Sequence, residues 1–333
     1  MTLPGMHKLP APRFVGAERA QMLERLCEAV MRQDALCVAT IAAADGTLLA
    51  DRSPSLPGMS WRPGSLAEFI VVWPKYSEIG IDALVAASQS GWDVNTVFGD
   101  NKTSLRTALE RFALDHKSAH LARQILAAGA NPNIDSAQRG TPLWRVLDAL
   151  ATTGLASTRD ALAQVAFALL DNERTWVDPR VPWATTGELF TIPSVHKLAC
   201  LYRGDWEMQP ELLAQLVHGL AARGADLDGT GAPAGVARTL AMAFSRQNWL
   251  AVCSLIGEGA ALDAQTTGID LQACIEALPS AESQQLVRTA LHARQIREAA
   301  RREQPPVQSK GVALAARREA SNSSSTRQKP TIF

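Results

Sequence analysis

The stretch that most constrains this chain is residues 121–143, LARQILAAGANPNIDSAQRGTPL. Its opening turns are amphipathic, with Ile125 and Leu126 apolar beside Arg123 and Gln124. The pattern stops at Gly129, where a positive φ carries no steric cost, so a helix is expected to end there. A polar loop, 131–139, follows, and then Thr141-Pro142-Leu143. Threonine caps a helix and proline suits its first turn, so a second helix opens at this point. Helix, stop, polar projection and capped helix make a unit too small to bury its own apolar face. Such a unit needs neighbours of the same kind.

The sequence supplies them. Residues 84–105 end a helix at Gly91, pass through Trp92-Asp93-Val94-Asn95 and reopen with Thr103-Ser104-Leu105. Residues 216–240 hold Gly224-Ala225-Asp226-Leu227-Asp228 and then Arg238-Thr239-Leu240. Residues 249–263 close on Gly259-Ala260-Ala261-Leu262-Asp263. The anchor glycines are 38 residues apart from 91 to 129 and 35 apart from 224 to 259. The 95 residues between 129 and 224 have room for two units and an insertion.

These phrases resemble the ankyrin repeat, whose period is about 33 residues. Gly129-Ala130-Asn131-Pro132-Asn133 is similar to that family's helix-ending G-A-D-x-N, and Thr141-Pro142-Leu143-Trp144 to its T-P-L-H. Pro193-Ser194-Val195-His196 is a degraded copy with His196 in the histidine place, where the resemblance implies a hydrogen bond within the repeat. Leu240 and Ala243 match the Leu and Ala of T-P-L-H-x-A. The resemblance runs over residues 18–300 and implies an all-α, ankyrin-like helical-pair solenoid of six or seven pairs. Residues 1–16 form a flexible leader. Residues 17–300 form the solenoid, with long connections at 47–64 and 171–191, and 301–333 form a disordered basic tail. Within the solenoid, helices break at Gln33-Asp34; Ser65 caps 66–73, with a partner over 77–90. Further pairs cover 106–114 with 118–128 and 144–151 with 161–170. The pattern breaks at 171–191, which has no anchor glycine, and resumes over 192–202 and 210–222. Residues 236–263 are a clean unit, and 269–277 with 281–300 are the polar pair that ends a stack.

Composition narrows the function. Apolar residues make 47% of the chain and aromatic residues 5%, which suits close-packed helix pairs better than a sandwich. Net charge is zero but unevenly placed: residues 294–333 carry nine Lys and Arg against three Glu. No run of about 18 apolar residues predicts a membrane span. Cys27, Cys37, Cys200, Cys253 and Cys274 are odd in number and scattered through helical patterns. Reduced, buried thiols in a cytoplasmic protein are the expectation. Export into a host cell through the polar basic tail fits the same composition, as a bacterial effector acting on a host protein.

The candidate chemistry is sparse. His116 and His120 are spaced i, i+4, with no further ligands at metal-site spacing. The glycine-rich run 229–235 follows no strand pattern, and Gly99-Asp100-Asn101-Lys102-Thr103 lacks the first glycine of a phosphate loop. The reading is non-catalytic and needs no cofactor or metal; an enzyme built on the two long connections is the outside alternative. Nucleic-acid binding is set aside because no aromatic residue is interleaved in the tail.

The resemblance implies a concave face of finger loops and first helices. Side chains two, five and six positions after each Leu of the T-P-L phrase fall on it: Thr107, Glu110 and Arg111; Arg145, Asp148 and Ala149; Lys197, Cys200 and Leu201; Met242, Ser245 and Arg246. One cation from each of four units makes a Lys/Arg row suited to an acidic segment of a protein partner. Trp176 and Trp183, in the irregular stretch, are further partner-binding candidates because tryptophan is enriched among binding hot spots.

Overall fold

Glycine in the left-handed region ends four of the helices at the places expected. In a computed structural model, which describes residues 11–51, 65–72, 74–98, 106–136, 140–182, 189–191, 193–200, 210–232 and 236–303, φ is 96° at Gly91, 103° at Gly129, 79° at Gly224 and 105° at Gly259. The residue after each glycine donates its amide to the carbonyl five positions back, as Ala130 does to Ile125 at 3.1 Å and Ala260 to Leu255 at 3.0 Å. The stranded carbonyls of the last turn are satisfied there without a side chain.

The described residues are mostly helical. The α-helices in chain order are α1 (Gly16–Arg32), α2 (Ala35–Ala44), α3 (Leu66–Val72), α4 (Pro74–Gln89), α5 (Ala108–Glu110), which continues as a π turn (Arg111–Asp115), and α6 (Ala119–Ala127). Then come α7 (Pro142–Thr152), α8 (Ala156–Leu170), α9 (Ser194–Ala199), α10 (Pro210–Ala222), α11 (Thr239–Ser245), α12 (Trp249–Glu258), α13 (Ala264–Thr267), α14 (Leu271–Glu276) and α15 (Ala281–Glu303). Two antiparallel hairpins interrupt them: β1 (Val97–Phe98) with β2 (Arg106–Thr107), and β3 (Arg180–Pro182) with β4 (Leu189–Thr191).

Helices contact one another in pairs, and the pairs contact in order. The second members α2, α4, α6, α8, α10, α12 and α15 form a row in which each packs on the next. The first members α3, the π turn, α7, α9 and α11 form another row alongside. One continuous apolar core runs between the rows, with Leu26, Phe69, Phe112, Ile125, Leu143, Leu169, Leu216 and Ile256 all buried. Within three of the pairs the turn repeats a second device. Gln33, Lys117 and Gln247 take left-handed φ values of 60°, 52° and 54°. The next residue, Asp34, Ser118 or Asn248, then caps the following helix through its side chain.

A third device joins one pair to the next. Asn95 Oδ1 accepts the Asn131 amide at 2.7 Å, and Asn133 Oδ1 accepts that of Trp176 at 2.7 Å. Asp178 Oδ2 accepts from Asp226 at 2.6 Å, and Asp228 Oδ1 from Ala261 at 2.6 Å. Measured from Gly91, Gly129, Gly224 and Gly259, the acceptor stands four residues after the glycine and the donor two.

Three expectations need correction. The stretch 171–191 does not break the order, because residues 174–178 form the same joint with Arg174 in the glycine's place. Arg174 keeps a negative φ; the turn closes instead through Thr175, whose amide donates to Asn172 O at 3.0 Å and whose buried hydroxyl donates to Leu169 O at 2.7 Å. The third pair opens one turn later than Thr103-Ser104-Leu105. Its cap is Thr107, which forms a reciprocal capping box with Glu110. At the ends, Arg13 and Phe14 of the expected leader donate their amides to Asp45 at 2.9 and 3.1 Å, and residues 301–303 form the last turn of α15. Residues 304–333 of the expected tail lie outside the described residues, as do 52–64 of the first long connection, whose start is a 3-10 turn (Gly46–Ala50).

A polar face on the first helices

The later start of α5 changes what Thr107 and Glu110 are. Each was placed on the concave face by counting from Leu105; counted from Leu109, they occupy the cap and the first turn of the helix. Both are buried. Glu110 Oε2 accepts the Thr107 amide at 2.7 Å and also the Ser136 hydroxyl, while Oε1 accepts Arg145 Nη1 at 2.7 Å. The carboxylate is fully enclosed and the Arg145 side chain is 10% exposed. Removing either partner would leave a buried charge without its counterion, at a cost of about 3–5 kcal/mol.

Counting from Leu109, Leu143, Val195 and Leu240 aligns Arg111, Arg145, Lys197 and Met242 two positions on. The structure brings these cations onto one face, and each meets an acid. Arg111 pairs with Asp115 at 2.9 Å within its own turn, and Arg106 pairs with the same carboxylate. Arg145 reaches back one pair to Glu110, and Lys197 reaches back one pair to Asp148. Lys197 Nζ also lies 4.6 Å over the Trp144 ring, within cation–π range. Burial and the neighbouring Arg145 and Arg111 charges lower the Arg106 pKa, against the pull of Asp115. The expected Lys/Arg row is therefore a mixed ladder of alternating sign rather than a bare cationic strip.

Beyond Lys197, the charge of Arg246 at the end of α11 is felt at Cys200. Burial raises the Cys200 pKa, while Lys197 and Arg246 act to lower it and Asp148 to raise it. Lys197, Arg246 and Asp148 are thus each within electrostatic reach of Cys200. Met242 is half-buried against the core and Ser245 donates to its carbonyl at 2.8 Å. His196 is buried, and its pKa is lowered to about 4 by burial and by Lys197, so the ring is neutral. Its Nδ1 has no partner among the described residues. Pro193 stands at the cap of α9, so no cap hydroxyl is there to bond within the repeat.

Trp176 does not join this face. It sits on the joint after α8 with 62% of its surface exposed. Trp183 and Leu201 lie outside the described residues. His116 Nε2 is 2.7 Å from Val71 O, which ties the π turn to α3, and no group of three or more His, Cys, Asp or Glu among the described residues could hold a metal. Two hollows lie elsewhere: one of about 330 Å³ between α4 and α6, and one of about 400 Å³ between Trp249 and α15.

Sequence reasoning found both the cations and the acids Glu110 and Asp148 through helical spacing but missed their pairing, since the partners are 35 and 49 residues apart. The joints were also missed, although a signal was present: Asn95, Asn133, Asp228 and Asp263 each follow an anchor glycine by four residues. No protein-family model matches the sequence, and none of the curated proteins does.

Proposed function

We propose that the chain is a non-catalytic protein-recognition scaffold, an ankyrin-like solenoid of seven helix pairs that holds a protein partner against the face of α5 with its π turn, α7, α9 and α11. The observation that carries this reading is the ladder that crosses from pair to pair, Glu110 to Arg145 and Asp148 to Lys197. It makes one surface out of side chains that the chain order keeps far apart. The two rungs differ in what a partner can do with them. Glu110 and Arg145 are enclosed and serve the fold. Asp148 is 51% exposed and Lys197 25% exposed, and an exposed pair of this kind contributes only about 0–1 kcal/mol. An acidic side chain of a partner can replace Asp148 on Lys197 at little cost, with Arg246, whose charge also reaches Cys200, as a second cation. The five free cysteines support a cytoplasmic setting.

The test is affinity capture with the intact chain and with Lys197→Glu/Arg246→Glu, with circular dichroism to compare folding. We expect the variant to fold and to lose a partner that the wild type holds, with affinity down at least about tenfold per desolvated charge contact. Equal capture by both proteins would remove the partner from this face.

A further inference from the structure

Trp176 is out of keeping with its setting. Trp92, Trp144 and Trp249 are all buried, whereas Trp176 is 62% exposed. The same position in the other joints holds Asp93, Asn131, Asp226 or Ala261, so the joint itself does not call for an indole. The backbone that presents it is held from both sides. Asn133 accepts the Trp176 amide and donates Nδ2 to Arg174 O at 2.6 Å, and Arg174 donates to Ala130 O at 3.0 Å. From the other side, Arg223 donates to the carbonyls of Leu170, Asn172, Glu173 and Thr175. An exposed aromatic on so fixed a backbone loses little further freedom when something covers it.

The charge around it points to a cation. The three successive joints 171–178, 223–228 and 257–263 carry seven carboxylates and two arginines. Those two arginines, Arg174 and Arg223, already donate into backbone carbonyls, Arg123 lies 3.7 Å from Asp171, His218 pairs with Glu258, and Arg294 and Arg297 reach the last joint from α15; Asp178, Asp226 and Asp228 accept bonds within the joints. Glu173 and Asp263 are exposed, and Asp171 is 71% exposed. The edge between Trp176 and the last helix therefore carries more carboxylates than cations, with one exposed aromatic platform among the described residues. Cations bind to the face of such a ring, and an adjoining carboxylate adds to the attraction.

The geometry also says where a cation comes from. Arg294 donates to Ala260 O and Arg297 to Gly257 O at 2.9 Å, so this part of α15 lies against the joint that follows α12. The helix runs on to Glu303, about 9 Å further at 1.5 Å per residue. Glu303, the last described residue, thus stands near this edge. Three helix spacings of about 8–10 Å separate α15 from α8, whose joint bears Trp176. Residues 304–333 contain Lys310, Arg317, Arg318, Arg327 and Lys329 against Glu319 alone. Arg317 and Arg318 can reach about 50 Å from Glu303 at full extension, more than the path requires. We infer that residues 304–333 dock along this edge of their own chain, with an arginine or lysine over the Trp176 ring. This surface is separate from the proposed partner face and stands whether or not that reading does.

The test uses the full chain and its Arg317→Glu/Arg318→Glu/Arg327→Glu/Lys329→Glu variant. The indole N–H resonance of Trp176, assigned with Trp176→Phe, is compared between them at two protein concentrations. We expect the resonance to differ between the two chains and to be unchanged by dilution. A synthetic 304–333 peptide should bind the variant and restore the wild-type position. The wild type should bind that peptide at least about tenfold more weakly, because the tethered segment holds the site at millimolar effective concentration. An unchanged resonance in the variant would overturn the inference. So would a shift that depends on concentration, which would make the contact intermolecular, or equal peptide affinity for the two chains.

Discussion

Asp178 accepts two backbone amides, that of Ser194 on Oδ1 at 3.1 Å and that of Asp226 on Oδ2 at 2.6 Å. Both carboxylate oxygens are committed, so the position asks for an acid and not an amide. At Asn133 the demand is different: one oxygen accepts Trp176 N, and the Nδ2 group must donate to Arg174 O. At these two positions the choice between Asp and Asn follows from what must be satisfied, two amides at 178 and one amide and one carbonyl at 133. Asp178→Ala leaves two part-buried amides without partners, and at about 1–3 kcal/mol each the chain should lose about 2–6 kcal/mol in urea denaturation. Asp178→Asn should lose about half as much, since its single oxygen keeps one bond. Equal stability of all three proteins would show that the joint contributes nothing. The cations of the candidate face were legible at this scale because helical spacing fixes which side chains share a surface. Their pairing was not, because it depends on which residue of the next pair stands opposite.

Arg223, at the end of α10, is bonded to four carbonyls of the loop that follows α8. It does for this loop what a left-handed glycine does in the others, by satisfying carbonyls that the helix end leaves open. Arg223→Ala should cost about 1.5–3 kcal/mol, and the effect should be local. Amides of 171–176 should exchange faster while those of α4 and α6 keep their protection; a uniform change along the chain would contradict this. The element boundaries were readable wherever one residue type alone suits the backbone, as at Gly91, Gly129, Gly224 and Gly259. The unit at 174–178 was hidden because its turn is closed by a threonine hydroxyl and a remote arginine, neither of which leaves a local pattern. The start of α5 was misplaced for another reason. Two Thr-x-Leu phrases lie one helical turn apart there, and only the Glu three residues after Thr107 distinguishes the true cap.

At the scale of the whole molecule, acid sensitivity should arise from a few carboxylates set far apart. Burial acts to raise Asp45, but the Thr47 hydroxyl and the amides of Phe14, Thr47 and Arg13 outweigh it and hold the pKa below the ordinary value. Asp226 is likewise pushed up by burial and brought lower overall by the Thr230 hydroxyl and the amides of its own loop. A depressed folded pKa contributes stability that is present above the unfolded value, about 3.9, and is lost as pH falls through the folded one. Asp178 has the opposite sign, because burial raises it; its contribution is present at low pH and is lost as pH rises through its folded pKa. Wild-type stability should therefore fall on acidification below about pH 4. Asp45→Asn/Asp226→Asn should be less stable at pH 7 yet lose less between pH 4 and pH 2. Urea titrations at several pH values would check it, and parallel curves for the two proteins would refute it.

The joints have one further consequence. Each fixes a single acceptor in one unit and a single amide in the next, and nothing in it measures the length of chain between them. From one donor to the next, Asn131 to Trp176 to Asp226 to Ala261, the interval changes from 45 to 50 to 35 residues while the bond stays within 2.6–2.7 Å. A gene segment that begins and ends at such joints can be duplicated, excised or lengthened by a hairpin without refitting its neighbours. The joints are natural splice points, and the two β-hairpins, each beginning two residues after a joint acceptor, lie where insertions of that kind are absorbed.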